Sequence, residues 1–434
     1  MDELRARVED LTHDGIGVVK ANDRVYFVDG VLPDELISFK PGKKRKGKFE
    51  GKSTEILEAS SQRVEAECEY FGICGGCALQ HLDSLSQIDY KEKILIDNLT
   101  RIGKVSVGEV LSPLRGDMWN YRRKARLGIK NVSKKGGILV GFRERQSSFI
   151  TSLQRCKTLD IRISDLLPGL HQLITGLSNN SRIPQIEVAA GDHRVALVLR
   201  HLESISQADI ERLREYAAIN DVDFFTQSKG PDSVMPVGPA MPIPLRYSHE
   251  QFDIELEFSP LDFIQVNARV NQLMVKQAYD FLEPVASDRI LDLFCGLGNF
   301  TLPLATSGAE VIGVEGDNYL VSKGRYNAEI NQIESASFEK LDLHAGDLSV
   351  IADSGKFNKM VIDPPRSGAF QVIQDVIPKI QPERLVYVSC NPATLARDAD
   401  VMVNHNDYSL TYAGAIDMFP QTAHVESMAV FDRS

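Results

Sequence analysis

The chain has 434 residues, 43% of them hydrophobic and 25% charged, with a formal net charge of −11. Its length allows about two to four domains with real hydrophobic cores. No apolar run is long enough to span a bilayer, and the charged N-terminus lacks the apolar segment of a secretory signal. We therefore expect a cytoplasmic protein with no membrane partner.

The charge is unevenly distributed along the chain. Residues 40–52 carry a balance of +6 and residues 115–145 one of +8, whereas residues 261–434 carry −10. Because local patches, not the total, attract phosphates, the two basic segments predict a nucleic-acid partner. The alternative that each segment is a solvated loop stays open.

Residues 1–59 have the pattern of five short strands separated by turn dipeptides such as Asp14-Gly15 and Asp29-Gly30. We predict these strands at 8–11, 17–20, 24–28, 35–40 and 49–57. So many short strands in so few residues predict a small barrel of the oligonucleotide-binding kind. Its basic loop, Pro41–Lys46, suits a phosphate backbone. The segment resembles a TRAM domain, an RNA-binding barrel, although strand count alone does not separate it from other small barrels.

Residues 60–260 mix helices and strands, and form the predicted central α+β domain. We predict helices at 85–101, 163–177 and 207–219, and strands at 124–129, 185–190 and 194–199. In the first helix, Ile88, Leu95, Leu99 and Ile102 share one face. Residues 119–126 interleave Trp119 and Tyr121 with four cations, which suits stacked bases and phosphates, although the aromatic rings could equally be core.

Three cysteines, Cys68, Cys74 and Cys77, lie close together among glycines, and Cys156 can supply a fourth thiolate after folding. Clustered cysteines in a chain that needs no disulfide framework indicate a metal site. Four thiolates fit structural zinc or an iron–sulfur cluster, and their spacing alone does not decide between them.

From about residue 261 the pattern alternates strands and helices, with strands predicted at 290–294, 310–315, 360–362 and 385–389. This alternation predicts a doubly wound, mostly parallel α/β sheet whose ligands bind at the carboxyl ends of the strands. A turn with Gly296 and Gly298 follows the first strand and Glu315 ends the second, where an acid can accept hydrogen bonds from ribose hydroxyls. Together with Asp292, they resemble the class I S-adenosylmethionine methyltransferases. Asp342 falls where that family often contacts adenine, or is a surface residue.

The chemistry-bearing motifs follow the last two predicted strands. Asp363-Pro364-Pro365-Arg366 forms a stiff loop, because each proline fixes its own φ and restricts the residue before it. Arg366 stands where methyltransferases acting on adenine amino groups carry a stacking aromatic, so an amino target is disfavoured. Cys390 ends the next strand and could add to C6 of a uracil, making C5 nucleophilic toward a sulfonium methyl. His424 and Glu426 are both candidates for the base that removes the C5 proton, and in a strand they would face the same side.

Taken together, these motifs resemble the RNA uridine-5 methyltransferase family. The resemblance implies that Cys390 is the nucleophile and that Glu426, not His424, is the base. It implies cofactor contacts at the positions Gln265, Phe294, Asn299, Glu315, Asp342 and Asp363. Asn267, beside the first of these, is better explained as a helix N-cap than as a catalytic group.

The same resemblance extends to the N-terminal regions. The TRAM-bearing branch of the family acts on 23S ribosomal RNA and holds a [4Fe-4S] cluster on four cysteines, which implies Cys68, Cys74, Cys77 and Cys156 as ligands here. Shorter tRNA-modifying relatives lack both barrel and cluster. Uridine methylation in tRNA and RNA cytosine-5 methylation remain the alternatives, and Cys295, inside the cofactor turn, is expected to be a packing residue. No obligate protein partner is implied.

We thus expect a multidomain chain with a TRAM-like β-barrel over residues 1–59 and a central domain with the cysteine cluster over 60–260. A class I methyltransferase domain with a doubly wound α/β sheet is expected over 261–434.

Overall fold

The computed structural model describes residues 3–45, 47–238 and 242–434, and at Arg45 the backbone alone. Lys46, the last residue of the predicted basic loop, lies outside the described residues. None of the helices in these ranges combines the length and the hydropathy that a bilayer crossing requires.

The first described residues form a closed five-stranded barrel in the order β1-β2-β3-β5-β4. The strands are β1 (Leu4–Leu11), β2 (Gly17–Ala21), β3 (Arg24–Val28), β4 (Leu36–Arg45) and β5 (Lys48–Glu58). Inward-facing side chains such as Val19, Tyr26 and Phe39 fill its interior. All five predicted strands are present. The basic segment differs from the prediction, because β4 and β5 continue through it as a paired hairpin, with Lys44 opposite Phe49.

The residues that follow the barrel, up to Phe258, contribute a second sheet and one long helix that packs against a different sheet of the molecule. The elements of this stretch are α1 (Ser84–Arg101), β6 (Glu109–Val110), β7 (Lys124–Val132), β8 (Gly137–Gly141), α2 (Ile161–Ser164), α3 (Leu167–Gly176), β9 (Gln185–Ala190), β10 (Val195–Arg200), α4 (Gln207–Asn220), β11 (Asp223–Gln227), β12 (Val234–Pro236), β13 (Leu245–His249) and β14 (Ile254–Phe258). Six of the strands form one sheet in the order β12-β11-β10-β9-β7-β8, while β13 and β14 form a separate hairpin. Side chains from α3 and α4 bury one face of the six-stranded sheet.

Two details of this stretch differ from the predictions. The helix predicted at 163–177 is two helices, α2 and α3, and Pro168 stands in the first turn of α3, where a missing N–H is tolerated. Ile102 is the C-cap of α1 and is 48% exposed, so it does not share the buried face of Ile88, Leu95 and Leu99.

The remaining residues, together with β6, build an eight-stranded sheet, here called the catalytic sheet, in the order β17-β16-β15-β18-β19-β21-β20-β6. Its elements are α5 (Ala268–Leu282), β15 (Arg289–Leu293), α6 (Thr301–Ala305), β16 (Glu310–Glu315), α7 (Asn318–Ile330), β17 (Ala336–Lys340), α8 (Ser349–Asp353), β18 (Lys359–Ile362), α9 (Phe370–Asp375), α10 (Ile377–Ile380), β19 (Arg384–Ser389), α11 (Pro392–His405), β20 (Tyr408–Ile416) and β21 (Glu426–Arg433). Strands β15 to β19 are mutually parallel, and β21 runs antiparallel to both of its neighbours. The predicted doubly wound sheet is confirmed.

Both faces of the catalytic sheet are covered by helices, as its alternating side chains require. Val386 and Val388 of β19 pack in the same hydrophobic cluster as α5. Leu385 and Tyr387, pointing to the opposite face, pack with α9, α10, α11 and, through Leu95, with α1. Helix α1, although far upstream in the chain, is therefore part of the layer that supports this sheet.

Candidate active site and cysteine cavity

The polar residues singled out in the sequence converge on one edge of the catalytic sheet. Glu315 ends β16, Asp363 follows β18, and Cys390 follows β19, so the carboxyl ends of three parallel strands place them side by side. Phe294 follows β15 at the same edge and adopts a positive φ of 62°, which turns the chain sharply into the glycine loop.

The glycine loop is held by the acid at the end of the neighbouring strand. One carboxylate oxygen of Glu315 accepts a hydrogen bond from the Gly296 N–H at 3.1 Å. The other accepts from the N–H groups of Gly316 and Asp317, at 2.7 and 3.1 Å. Beneath the loop, the fully buried Asp292 carboxylate accepts a hydrogen bond from the Thr301 hydroxyl, and burial raises its pKa to about 8.

Gln265 and Asp363, two more of the predicted cofactor contacts, interact with each other beside the glycine loop. The Gln265 side-chain N–H donates to the Asp363 carboxylate at 3.3 Å. Burial raises the pKa of Asp363 to about 7, and the hydrogen bond from Gln265 opposes that rise. Asn267 caps α5 by accepting from the Val270 N–H, which agrees with its interpretation as a helix cap.

Asn299 is fixed by a network that the sequence did not reveal. Its side-chain oxygen accepts hydrogen bonds from the Tyr247 hydroxyl at 3.0 Å, from His249 Nε2 at 3.1 Å and from the Asn271 amide at 2.9 Å. Its amide returns one hydrogen bond to the Asn271 oxygen at 3.0 Å. With its oxygen saturated, Asn299 has one N–H left to offer a ligand. Burial lowers the pKa of His249 to about 4, so this histidine is neutral.

Asp342 lies at the outer rim of the site, in the loop that follows β17. Its side chain is exposed, and its carboxylate accepts hydrogen bonds from the backbone of His344 and Ala345 at 2.9 and 3.1 Å, which lowers its pKa. The His344 ring lies 5.5 Å from that of Phe294. Asp342 therefore stabilises the loop that follows β17, and this loop contacts Phe294 beside the glycine loop through His344.

Cys390 and Glu426 lie near each other at the same end of two antiparallel strands. Ser389 of β19 pairs with Ser427 of β21, Cys390 follows Ser389 and Glu426 precedes Ser427, and the Glu426 carboxylate acts on the Cys390 thiol. Glu426 is only 3% exposed. Burial raises its pKa well above the ordinary value, the nearby Asp363 adds to the rise, and Arg366 opposes it. Burial, with Glu426 and Asp363, also raises the pKa of Cys390, to about 11.

The proline loop above this pair is tied to the helix that follows Cys390. The Asn391 amide donates to the Arg366 carbonyl at 3.0 Å, and Asn391 also caps α11. The Arg366 guanidinium lies 3.5 Å from His424 Nδ1. His424 is exposed and precedes β21, whereas Glu426 is its first residue and is buried. The expectation that both would share one face of a strand was therefore wrong, because the strand begins only after His424.

The four predicted ligand cysteines line one cavity, together with Tyr70, Phe142 and Gln80. Burial raises the pKa of Cys74 to about 11 and that of Cys77 to about 12, and the neighbouring thiols add to both shifts. Among the described residues no three ligand side chains are already gathered as a metal-binding group. The donor set still fits such a group, since four thiols line a shared space, and a bound cation would stabilise the thiolates that burial disfavours.

Cys295, by contrast, is buried among apolar side chains beneath the glycine loop, as expected of a packing residue. It lies apart from the cysteine cavity and is only 4% exposed.

The aromatic and basic residues near position 120 divide into two groups. Tyr121 is core: it is 6% exposed and donates to the Pro420 carbonyl at 2.9 Å, so it is not free to stack on a base. Arg123 is paired with Asp192 at 2.6 Å. Trp119 is partly exposed, and Lys157 lies over its ring at 5.6 Å.

The barrel hairpin offers a second cationic surface. Arg24 and Lys44 lie over the Phe49 ring at 5.0 and 5.6 Å, and Lys48 lies over Phe27 at 5.0 Å. Such interleaving of cations and rings can attract phosphates and stack bases.

Comparisons with known proteins identify relatives of this chain. Residues 249–434 match the family described as tRNA (Uracil-5-)-methyltransferase. The 23S rRNA (uracil(1939)-C(5))-methyltransferase RlmD of Xanthomonas campestris pv. campestris (strain 8004) is 47% identical over 433 residues, covering 99% of this chain and 97% of that protein. The RlmD of Azoarcus sp. (strain BH72) is 44% identical over 429 residues, which are 99% of each chain.

A solved structure shares the whole architecture. The Pyrococcus abyssi tRNA (uracil-54, C5)-methyltransferase in complex with S-adenosyl-L-homocysteine superposes with a TM-score of 0.76 at 24% identity, covering 99% of this chain and 100% of that one. This likeness shows the fold alone. It also corrects the expectation that tRNA enzymes are shorter and lack the barrel, because a tRNA enzyme spans the same fold; architecture by itself does not separate the two RNA classes.

Proposed function

The chain belongs to the family of RNA uracil-C5 methyltransferases, and on that premise we propose that it methylates C5 of a uridine in 23S ribosomal RNA. The substrate class follows the names of relatives with 44–47% identity over 99% of the chain, which specify uracil 1939 of that RNA. The observation that carries the chemistry is the proximity of Cys390 to the buried Glu426 at the carboxyl ends of the parallel strands.

We propose that S-adenosylmethionine binds over the glycine loop. There it supplies an electrophilic methyl group on a sulfonium. Glu315 is already fixed by Gly296 and can receive the ribose hydroxyls, and Asn299 has one free N–H for a carboxylate. Gln265, Phe294, Asp342 and Asp363 border the same space and complete the proposed contact set.

The proposed reaction is covalent catalysis by Cys390. Its thiolate adds to C6 of the uracil, and the electron pair moves to give an enolate with carbanion character at C5. C5 takes the methyl group in an in-line displacement that leaves the thioether product. The Glu426 carboxylate then removes the C5 proton, and the C6–S bond breaks to return the thiolate.

Glu426 suits the base role better than His424 for a geometric reason. Glu426 is buried near Cys390, whereas His424 is exposed and interacts with Arg366. A buried carboxylate with a raised pKa is a stronger base than an exposed one. Arg366 lowers the pKa of both Cys390 and Glu426, so it favours the ionised forms that the reaction needs.

RNA containing 5-fluorouridine tests this mechanism, because fluorine at C5 cannot leave as a proton. Wild-type protein should form a denaturant-resistant adduct that carries the methyl, and Cys390→Ala should form none while still binding the cofactor. Substantial methylation by Cys390→Ala would overturn the nucleophile assignment.

The RNA class is tested by mapping labelled methyl groups on ribosomal RNA and tRNA incubated together with the protein. Label at one uridine of 23S RNA would support the proposal. Label confined to tRNA would contradict it and would support the alternative, methylation of a uridine in tRNA. Label on cytosine would indicate the cytosine-5 reaction; against it stands Cys295, which is buried among apolar side chains and not placed as a second catalytic thiol.

We further propose that Cys68, Cys74, Cys77 and Cys156 hold a [4Fe-4S] cluster, with a structural or RNA-binding role. The support is their shared cavity and the closeness of Gln80, whose side chain accepts from the Cys68 N–H at 3.2 Å. Protein purified without oxygen should be brown and contain about four irons per chain. Colourless protein containing zinc would overturn this assignment.

We also propose that the chain divides into three domains, with boundaries between residues 59 and 60 and between residues 260 and 261.

A further inference from the structure

The proposed base Glu426 lies where a strand of the catalytic sheet meets a loop that is outside the sheet. Residues 417–425, here called the 417–425 loop, connect the end of β20 at Ile416 to Glu426, the first residue of β21. Glu426 pairs with Ile416 of β20, so the 417–425 loop closes the hairpin that carries this carboxylate, and the contacts of the loop constrain the hairpin end at which Glu426 lies.

A buried ion pair fixes the start of this loop. The Lys91 ammonium, on α1, lies 2.6 Å from the Asp417 carboxylate, and the two side chains are 0% and 1% exposed. The same ammonium donates to the Phe419 carbonyl at 2.9 Å. A pair so deeply buried holds its geometry strongly, because neither charge can be left alone without a large desolvation cost.

The middle of the loop is fixed by a reciprocal amide pair. The Gln421 N–H donates to Gln87 Oε1 at 3.0 Å, and Gln87 Nε2 donates to Gln421 Oε1 at 3.1 Å. Gln421 has a φ of 69°, a conformation that a non-glycine residue keeps only when its surroundings enforce it. Gln87 is 1% exposed, so its bonds are made away from water.

The cysteine-bearing segment reaches the same residue. The backbone N–H groups of Ala78 and Leu79, directly after Cys77, both donate to the Gln421 carbonyl, at 2.9 and 3.0 Å. Ala423 packs beside Leu79 and Tyr90, in a small hydrophobic cluster that also includes barrel residues. Helix α1, the barrel and the cysteine segment thus all meet at this one loop.

We propose that Gln87 and Lys91 are positioning residues for the base Glu426, and that the cysteine segment shares this role through Ala78 and Leu79. Ordering of the four cysteines then fixes Cys77, and through the next two N–H groups it fixes Gln421. Loss of that order loosens the 417–425 loop and slows the proton-removal step, without weakening the nucleophile. This inference rests on the proposed function, since it assigns the base role to Glu426.

Hydrogen exchange measured by mass spectrometry tests the coupling without any catalytic readout. Exchange of the peptide spanning 417–425 should rise about tenfold in Gln87→Ala, as expected for one or two lost buried hydrogen bonds. It should rise similarly in wild-type protein stripped of iron, while peptides of β15 and β16 stay unchanged. Lys93→Ala is the matched control, because Lys93 lies on the same helix but makes an exposed pair with Asp10. Equal exchange in Gln87→Ala and Lys93→Ala would overturn the proposal.

A kinetic comparison distinguishes a positioning role of Gln87 from a general loss of structure in the variant. Adduct formation with 5-fluorouridine RNA needs Cys390 but no removal of a C5 proton. Gln87→Ala should therefore form the trapped adduct at the wild-type rate, yet turn over normal uridine RNA roughly tenfold more slowly. Gln421→Ala, which keeps the backbone bonds, should show a smaller loss of the same kind.

The outcomes distinguish this inference from the function it rests on. If Gln87→Ala slows adduct formation and turnover equally, the role of Gln87 is merely structural and the inference fails. If wild-type protein forms no adduct at all, the proposed function fails, and the exchange experiment still decides whether the cysteine segment orders the loop.

Discussion

Replacing Glu426 by glutamine should make Cys390 more reactive while abolishing turnover. Burial, with the carboxylates of Glu426 and Asp363, raises the pKa of Cys390 from 9.0 to about 11, which lowers its thiolate population at neutral pH by about a hundredfold. Glu426 is the larger of the two charge contributions to this rise. Removing its charge stabilises the thiolate, so the pKa must fall and the thiolate population must grow.

The expected gain in the reactivity of the Cys390 thiol has an upper limit. A full return to the ordinary pKa would raise the thiolate population about a hundredfold, but a less basic thiolate is intrinsically less nucleophilic, with a Brønsted slope of about 0.4–0.5. The net ceiling is therefore about tenfold. Because burial is the largest cause of the shift and persists in the variant, we expect about a two- to fivefold increase at a fixed pH below 9.

The assay is the rate of iodoacetamide labelling of the Cys390 peptide, followed by mass spectrometry between about pH 7 and 10, around the ordinary range of thiol titration. Glu383→Gln is the matched control, since this exposed acid lies just before β19, at the far end from Cys390. Labelling of Glu426→Gln that is unchanged or slower than wild type would refute the electrostatic coupling of the two residues. Normal methylation by the variant would refute the base assignment.

Three further predictions concern the buried charges and the cysteines. The folded-state pKa of Asp292 is raised from 3.8 to about 8, so the stability linked to its protonation is present at low pH and is lost as pH rises through 8. Asp292→Asn should therefore gain melting temperature relative to wild type between pH 5 and 9, and the matching gain in the free energy of unfolding has an upper limit of about 6 kcal/mol; parallel plots of melting temperature against pH would contradict this. Lys91→Met should cost about 3–5 kcal/mol in the free energy of unfolding, and Lys91→Met with Asp417→Leu should recover most of it, as denaturant titrations would report; equal losses in both would argue against the buried pair. Cys68→Ser should lose iron and colour, while Cys295→Ser keeps both, as metal analysis would show; full iron content in Cys68→Ser would remove it from the ligand set.

The sequence predicted best what depends on local pattern. The strands at 24–28, 185–190 and 310–315 match the structure residue for residue, because turn residues and apolar runs mark both of their ends. The residues at the carboxyl ends of the parallel strands were predicted to meet for a topological reason, since a doubly wound sheet brings those ends to one edge. Glu315, Asp363 and Cys390 therefore lie where the alternation of elements predicted.

The features that the sequence did not predict depend on contacts between segments that are far apart in the chain. Tyr247 and His249 stabilise Asn299 from a hairpin about fifty positions upstream, and neither residue belongs to a recognisable motif. The side of β21 on which Glu426 falls is set by antiparallel pairing with β19, and a shift of one residue would have turned it away from Cys390. Tyr121 was ambiguous because an aromatic among cations has the same pattern in an RNA surface and in a core, and only burial distinguishes them.

The pKa shifts at the sheet edge share one physical cause. Asp292, Asp363 and Glu426 are acids taken out of water, and each is raised chiefly by burial; Cys390 beside them is raised for the same reason. The Arg366 guanidinium is an exposed cation that lowers the pKa of two of these groups, Glu426 and Cys390. Such a pocket is short of positive charge, and a cationic ligand that enters it favours the ionised forms of every acid it approaches. A sulfonium methyl donor is such a ligand. The rise in the pKa of Cys390 and of Glu426 is therefore opposed once the methyl donor is bound, so their ionisation is coupled to cofactor binding.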